Sequence, residues 1–131
     1  MKTKLILLFA FLLMGAASFA QTAVKDSINV ISIAKFEKMA TKKKNMVVDV
    51  RTPEEVAEGH LAGSVNINFL GEGFQQEISK LNKNKTYLLY CKSGNRTRKA
   101  ADQMQKAGFK HVYMLEGGIT AWNAAGKPVE K

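Results

Sequence analysis

Cys91 is the only cysteine in this 131-residue chain, and it stands in the stretch Tyr90-Cys91-Lys92-Ser93-Gly94-Asn95-Arg96-Thr97. A cysteine acts as a nucleophile through its anionic sulfur, so a reactive one needs surroundings that favour negative charge. Three features supply that with one sign. The small and polar residues Lys92, Ser93, Gly94 and Asn95 can curl their backbone N–H groups into an anion-binding nest. A helix is predicted to start near Arg96 or Thr97, with its positive dipole end directed at the same space. Lys92, Arg96, Arg98 and Lys99 add cationic charge, and no acidic residue lies between Cys91 and Ala101. The guanidinium of Arg96, separated from the cysteine by four residues, presents a fork of donors where a lysine would act as a point charge. Such a site suits an anionic substrate that delivers an electrophilic atom to sulfur. It requires no histidine base, and His60 and His111 read as bystanders.

Positioning this loop is the task of the flanking elements. Short apolar runs alternate with helical periodicity along the chain, which predicts an α/β fold with a parallel sheet. The runs "INVI" (28–31), "MVVDV" (46–50), "SVNINF" (64–69), "TYLLY" (86–90) and "VYML" (112–115) read as strands. The second and fourth are nearly continuous in apolar residues, as strands covered on both faces are. Ser32 is placed to cap a helix that turns Ile33, Phe36 and Met39 inward. Thr52-Pro53-Glu54-Glu55 combines an N-cap, a proline at the first helical position and a glutamate closing a capping box; that short helix is expected to stop at Gly59. Further helices are expected over "FQQEISKL" (74–81), over "TRKAADQMQKAG" with Ala100, Met104 and Ala107 on one stripe, and within "GGITAWNAAG". Cys91 then falls at the carboxyl end of a buried strand, the edge at which open α/β sheets bind ligands.

Residues 1–20 have the pattern of a secretory signal: Lys2 and Lys4, an apolar run from Leu5 to Met14, then small residues with Ser18 and Ala20 at the cleavage positions. The apolar run is short for a membrane span, and no cysteine follows Ala20 to carry a lipid. The expectation is a cleaved leader over 1–20, one domain over 21–131, and export, most simply to a periplasm, without stable membrane anchoring. The net charge of +9 falls to about +7 when the leader's lysines are removed. Its lysines are dispersed apart from "TKKKN" (41–45), read as a solvated turn, and the aromatic interleaving of single-strand binders is missing, so nucleic acid is not the expected partner. A single cysteine excludes an internal disulfide.

The loop "CKSGNRT" resembles the active-site loop of rhodaneses, the single-domain sulfurtransferases. "VVDVRTPEEVAEGHLAGSVNI" (47–67) is similar to the family's first signature, and "VYMLEGGITAWNAAGKPV" (112–129) to its last, so the resemblance covers nearly all of residues 28–129. It implies a three-layer fold, a central parallel sheet of about five strands with helices on both faces. It also implies that Cys91 holds a sulfane sulfur as a persulfide in a cradle formed by Lys92 through Thr97. Lys92 and Arg96 would attract thiosulfate or another small anionic sulfur donor, and a thiol or cyanide would accept the sulfur. No metal or cofactor is implied. By the same resemblance Asp49 would sit at the mouth beside the loop and Arg51 would pair with acidic groups near it, unless both only brace strand ends. Trp122, Gly117 and Gly118 read as packing and turn residues.

Two other readings share the cradle. Related phosphatases and arsenate reductases of this fold place one residue more between Cys and Arg, so the four-residue gap here favours sulfur over a tetrahedral oxyanion. A non-catalytic persulfide carrier or binding module would keep the same cysteine without turnover.

Overall fold

A computed structural model describes residues 29–131; the leader expected over 1–20 lies outside the described residues. The elements run in chain order as β1 (Asn29–Ile31), α1 (Ile33–Ala40), β2 (Met46–Asp49), α2 (Pro53–Glu58), β3 (Val65–Asn66), α3 (Phe74–Ser79), β4 (Thr86–Tyr90), α4 (Asn95–Lys106), β5 (His111–Leu115) and α5 (Gly118–Ala124). The five strands form one parallel sheet in the order β1-β5-β4-β2-β3.

Period-two alternation divides β4 between two cores. Tyr87, Leu89 and Cys91 point to one face, where α3 and α4 supply Phe74, Ile78, Ala100 and Met104. Leu88 and Tyr90 point to the other, where α1 and α5 supply Phe36, Ile119 and Trp122. Leu88, Leu89 and Tyr90 are all fully buried; each such apolar side chain contributes about 1.5–3 kcal/mol by leaving water. Phe36 and Trp122 meet edge to face with ring centroids 6.3 Å apart, and the Trp122 indole donates to the Pro128 carbonyl at 2.9 Å.

Helix starts follow their caps. Ser32 Oγ accepts from the Lys35 amide at 3.2 Å, and Thr52 with Glu55 forms the complete capping box. Two predicted elements differ from the structure. The third strand is confined to Val65–Asn66, because Asn68 turns the chain: its side chain accepts from the Leu70 amide and its carbonyl from the Gly71 amide. Helix α4 starts at Asn95, one residue ahead of the expected start near Arg96 or Thr97, because Gly94 takes φ +126° and brings the chain into the helix early. Only glycine tolerates that conformation readily.

From β2 the chain moves outward to β3, whereas from β4 it moves the opposite way to β5. The point where these directions diverge lies between the carboxyl ends of β2 and β4, and such a divergence opens a crevice. Asp49 and Tyr90 are paired across it, and Cys91 follows directly.

Candidate active site

Cys91 is 1% exposed, covered by the three-residue turn Lys92–Gly94 and the first turn of α4. The Gly94 amide donates to Cys91 Sγ at 3.0 Å, so one backbone N–H already faces the sulfur. The loop owes its path to α5. The Ile119 amide donates to the Cys91 carbonyl at 2.9 Å and the Thr120 amide to the Lys92 carbonyl at 3.1 Å. Those otherwise unpartnered amides of a helix start thus hold the first two loop carbonyls away from the sulfur. The approach depends on Gly118, at φ +61°, where a Cβ would fall 2.4 Å from the Lys92 carbonyl oxygen. The sequence suggests Gly118 only as a turn residue; its contact with the loop comes from a segment 26 positions away and leaves no local signal.

Of the residues expected in the cradle, Lys92, Ser93 and Asn95 are exposed, and Asn95, Arg96 and Thr97 form the opening turn of α4. Arg96 is not free. Its guanidinium donates to both carboxylate oxygens of Glu55, at 2.5 and 2.8 Å. The hydrogen bond from Arg96 is the leading cause that holds the Glu55 carboxyl at about 2, well below its ordinary 4.5. Glu55 therefore serves two helices at once, closing the cap of α2 through the Thr52 amide and clamping the start of α4. The local sequence around Cys91 is wholly cationic, yet folding brings in this carboxylate from 41 residues away. Thr97 is buried, and its hydroxyl is the one buried side-chain polar atom without a hydrogen-bond partner among the described residues.

Asp49 is not at the mouth: it is fully buried. Its carboxylate receives the Arg51 amide at 3.0 Å, Nε at 2.9 Å and Nη2 at 2.7 Å. Arg51 in turn donates to the carbonyls of Gly59 at 2.7 Å and Glu55 at 3.4 Å and lies over the Tyr90 ring. The pair braces α2, and through Glu55 it braces Arg96. Asn66 ties the same corner by donating to the carbonyls of Asp49 and Arg51. Tyr90 accepts from the Leu61 amide at 3.0 Å, and burial pushes its hydroxyl up to about 12, so it stays a neutral hydrogen-bonding post. His60 contacts the Val56 carbonyl and Glu130, and His111 lies at the opposite edge of the sheet.

Beside the loop is a cavity of about 270 Å³ whose polar walls are Arg51, Glu55, Glu58, Lys92, Thr120 and Asn123. With Arg51 committed to Asp49 and Glu55 to Arg96, Lys92 and Glu58 are its free charges. A smaller depression of about 210 Å³ lies on the other side, bounded by Ser93, Gly94, Asn95 and Arg98.

This arrangement has close relatives. The rhodanese-like domain family matches residues 32–125. Thiosulfate sulfurtransferase 16, chloroplastic, of Arabidopsis thaliana is 32% identical over 93 residues, covering 63% of this chain and 78% of that protein. The tRNA uridine(34) hydroxylase of Pelagibacter ubique is 38% identical over 94 residues, 70% of this chain, but the match spans only 31% of the hydroxylase. The crystal structure of a rhodanese-related protein from Thermoplasma volcanium superposes with a TM-score of 0.69 at 30% identity, covering 78% of this chain and 97% of that one. The matched length runs from the cap of the first helix to the end of the last, and the chain belongs to the rhodanese-like domain family.

Proposed function

We propose that the protein is a sulfurtransferase working by double displacement through a Cys91 persulfide. The anionic sulfur of Cys91 attacks the outer sulfur of thiosulfate. The S–S bond of the donor breaks, and sulfite leaves with the electron pair. With a persulfide donor the leaving group is the donor's thiolate. A thiol or cyanide then attacks the outer sulfur on Cys91, and Cys91 leaves as the anion it began as. The observation that carries this reading is the Gly94 amide aimed at Cys91 Sγ at 3.0 Å, at the point where the strand connections diverge. A turn that carries Lys92 and no acidic residue, with one amide already on the sulfur, supports an anionic sulfur species. The likeness to a thiosulfate sulfurtransferase supports the same reaction class.

The phosphatase or arsenate reductase reading needs a guanidinium free to grip a tetrahedral oxyanion through two parallel hydrogen bonds. Arg96 is held at both its terminal nitrogens by Glu55, which weighs against it. A carrier without turnover has no need of repeated access to Cys91. Steady-state rates with thiosulfate and cyanide separate these readings: we expect parallel double-reciprocal lines, the signature of a ping-pong cycle, and no rate in Cys91→Ser. Intersecting lines, or cleavage of an aryl phosphate dependent on Cys91 and Arg96, would contradict the proposal. Residues 1–20 fit export, and we take the exported form to be the working enzyme.

A further inference from the structure

The lysine run at 42–44 takes part in nothing described above, and the fold gives it company. Because all five strands are parallel, the turns that precede β2, β4 and β5 meet at one edge of the sheet. They carry Lys42, Lys43 and Lys44, then Lys83 and Lys85, then Lys110, with no acidic residue in 41–45, 82–85 or 107–111. Contacts confirm that the turns converge. The Lys110 amide donates to the Lys83 carbonyl at 3.3 Å, and Lys44, Lys85, Thr86 and His111 border one open depression of about 500 Å³. Among the described residues none of these six lysines forms a salt bridge. Helices α1, α3 and α4 also end at this edge, and the negative end of each helix dipole amounts to roughly half a charge. That offsets about 1.5 of six positive charges and leaves a surplus of about 4.5.

We propose that this lysine pole is a docking surface for an anionic phospholipid bilayer. The chemistry of the cations favours a bilayer over other anions. Every cation of the pole is lysine, a compact, strongly hydrated point charge on a flexible stem, and six of them spread over three turns suit an extended charged surface. Arginine, the residue suited to bidentate phosphate and base recognition, is found at positions 51, 96 and 98, none of them in these turns. A domain docked in this way holds Cys91 at the far end of β4, about 17 Å up the strand, facing the aqueous phase and its soluble sulfur donors.

Sedimentation of the full chain with vesicles tests this, comparing phosphatidylcholine alone with phosphatidylcholine containing phosphatidylglycerol. Wild type and variants share the N-terminal segment, so its contribution cancels. We expect binding to rise with phosphatidylglycerol and to weaken when ionic strength goes from about 0.1 to about 1 M, where the screening length falls from ~10 to ~3 Å. Each Lys→Gln exchange at 42, 44, 83 or 85 should weaken the anionic-lipid increment roughly fivefold. The fourfold variant should lose most of the anionic-lipid increment, keeping only the part due to Lys43 and Lys110, while still accepting sulfur on Cys91. Should that variant fail to fold, Lys43→Gln with Lys110→Gln and the salt titration of wild type carry the same test. The proposal is overturned by equal wild-type binding to both vesicles, by variants that keep the increment, or by single-stranded DNA or polyglutamate binding more tightly than the vesicles. Loss of sulfur uptake with lipid binding intact would strike the sulfurtransferase reading alone.

Discussion

The Thr97 hydroxyl is buried without a partner, and a buried polar group left in that state costs about 1–3 kcal/mol. In the proposed cycle the outer sulfur of the persulfide lies about 2 Å beyond Cys91 Sγ, bringing a new anionic acceptor to the start of α4. We expect Thr97→Val to leave the sulfur-free protein as stable as wild type or slightly more so, while slowing sulfur uptake roughly tenfold. Thermal melts together with single-turnover uptake check this; unchanged uptake would leave the hydroxyl a packing defect. Glu55 makes a second prediction. Its carboxyl is lowered from 4.5 to about 2, so the folded state holds it charged where the unfolded chain would not. The stabilisation is therefore fully present above about pH 4.5 and is lost as pH falls toward about 2. Glu55→Gln should lower the melting temperature at neutral pH, and its difference from wild type should close over that window. A difference that stays constant with pH would show that the ion pair does not account for the effect.

Among the elements, α2 is the weak member: six residues with none buried. Its hold on the fold comes from polar contacts at its two ends, the capping box at one and Arg51 on the Glu55 and Gly59 carbonyls at the other. Because Asp49 is fully buried, removing its partner strands a carboxylate in the core, at a cost of about 3–5 kcal/mol. Arg51→Met should lower stability by that amount in denaturant titration, and it should lower sulfur transfer further by loosening Glu55 from Arg96. A loss under 1 kcal/mol would mean that the pair does not brace the helix. Element by element, what could be read from the sequence was local. The β4 run, the Ser32 and Thr52 caps and the stripe of α4 each lie within one window of residues. Contacts between windows could not be read: Glu55 on Arg96, Gly118 against Lys92, and the burial of Asp49 beneath the end of its strand. The start of α4 was placed one or two residues late because a lone glycine does not announce its φ.

For the molecule as a whole, the parallel sheet sorts function to its two edges. The carboxyl edge gathers Cys91, its turn, α2 and the start of α5; the amino edge gathers the unpaired lysines. The family and the α/β architecture were legible because three separated segments carry signatures in the expected order. The lysine pole was not, since "TKKKN" alone is an ordinary solvated turn and only the strand order joins it to Lys83, Lys85 and Lys110. The account as a whole rests on the chemistry of one sulfur. The most direct test is the intact mass of the purified protein after incubation with thiosulfate or a polysulfide, followed by addition of cyanide. The account predicts a gain of the mass of one sulfur atom, mapped to Cys91, reversed by cyanide and missing in Cys91→Ser. A wild-type mass unchanged by both donors, or an adduct that persists in Cys91→Ser, would contradict it.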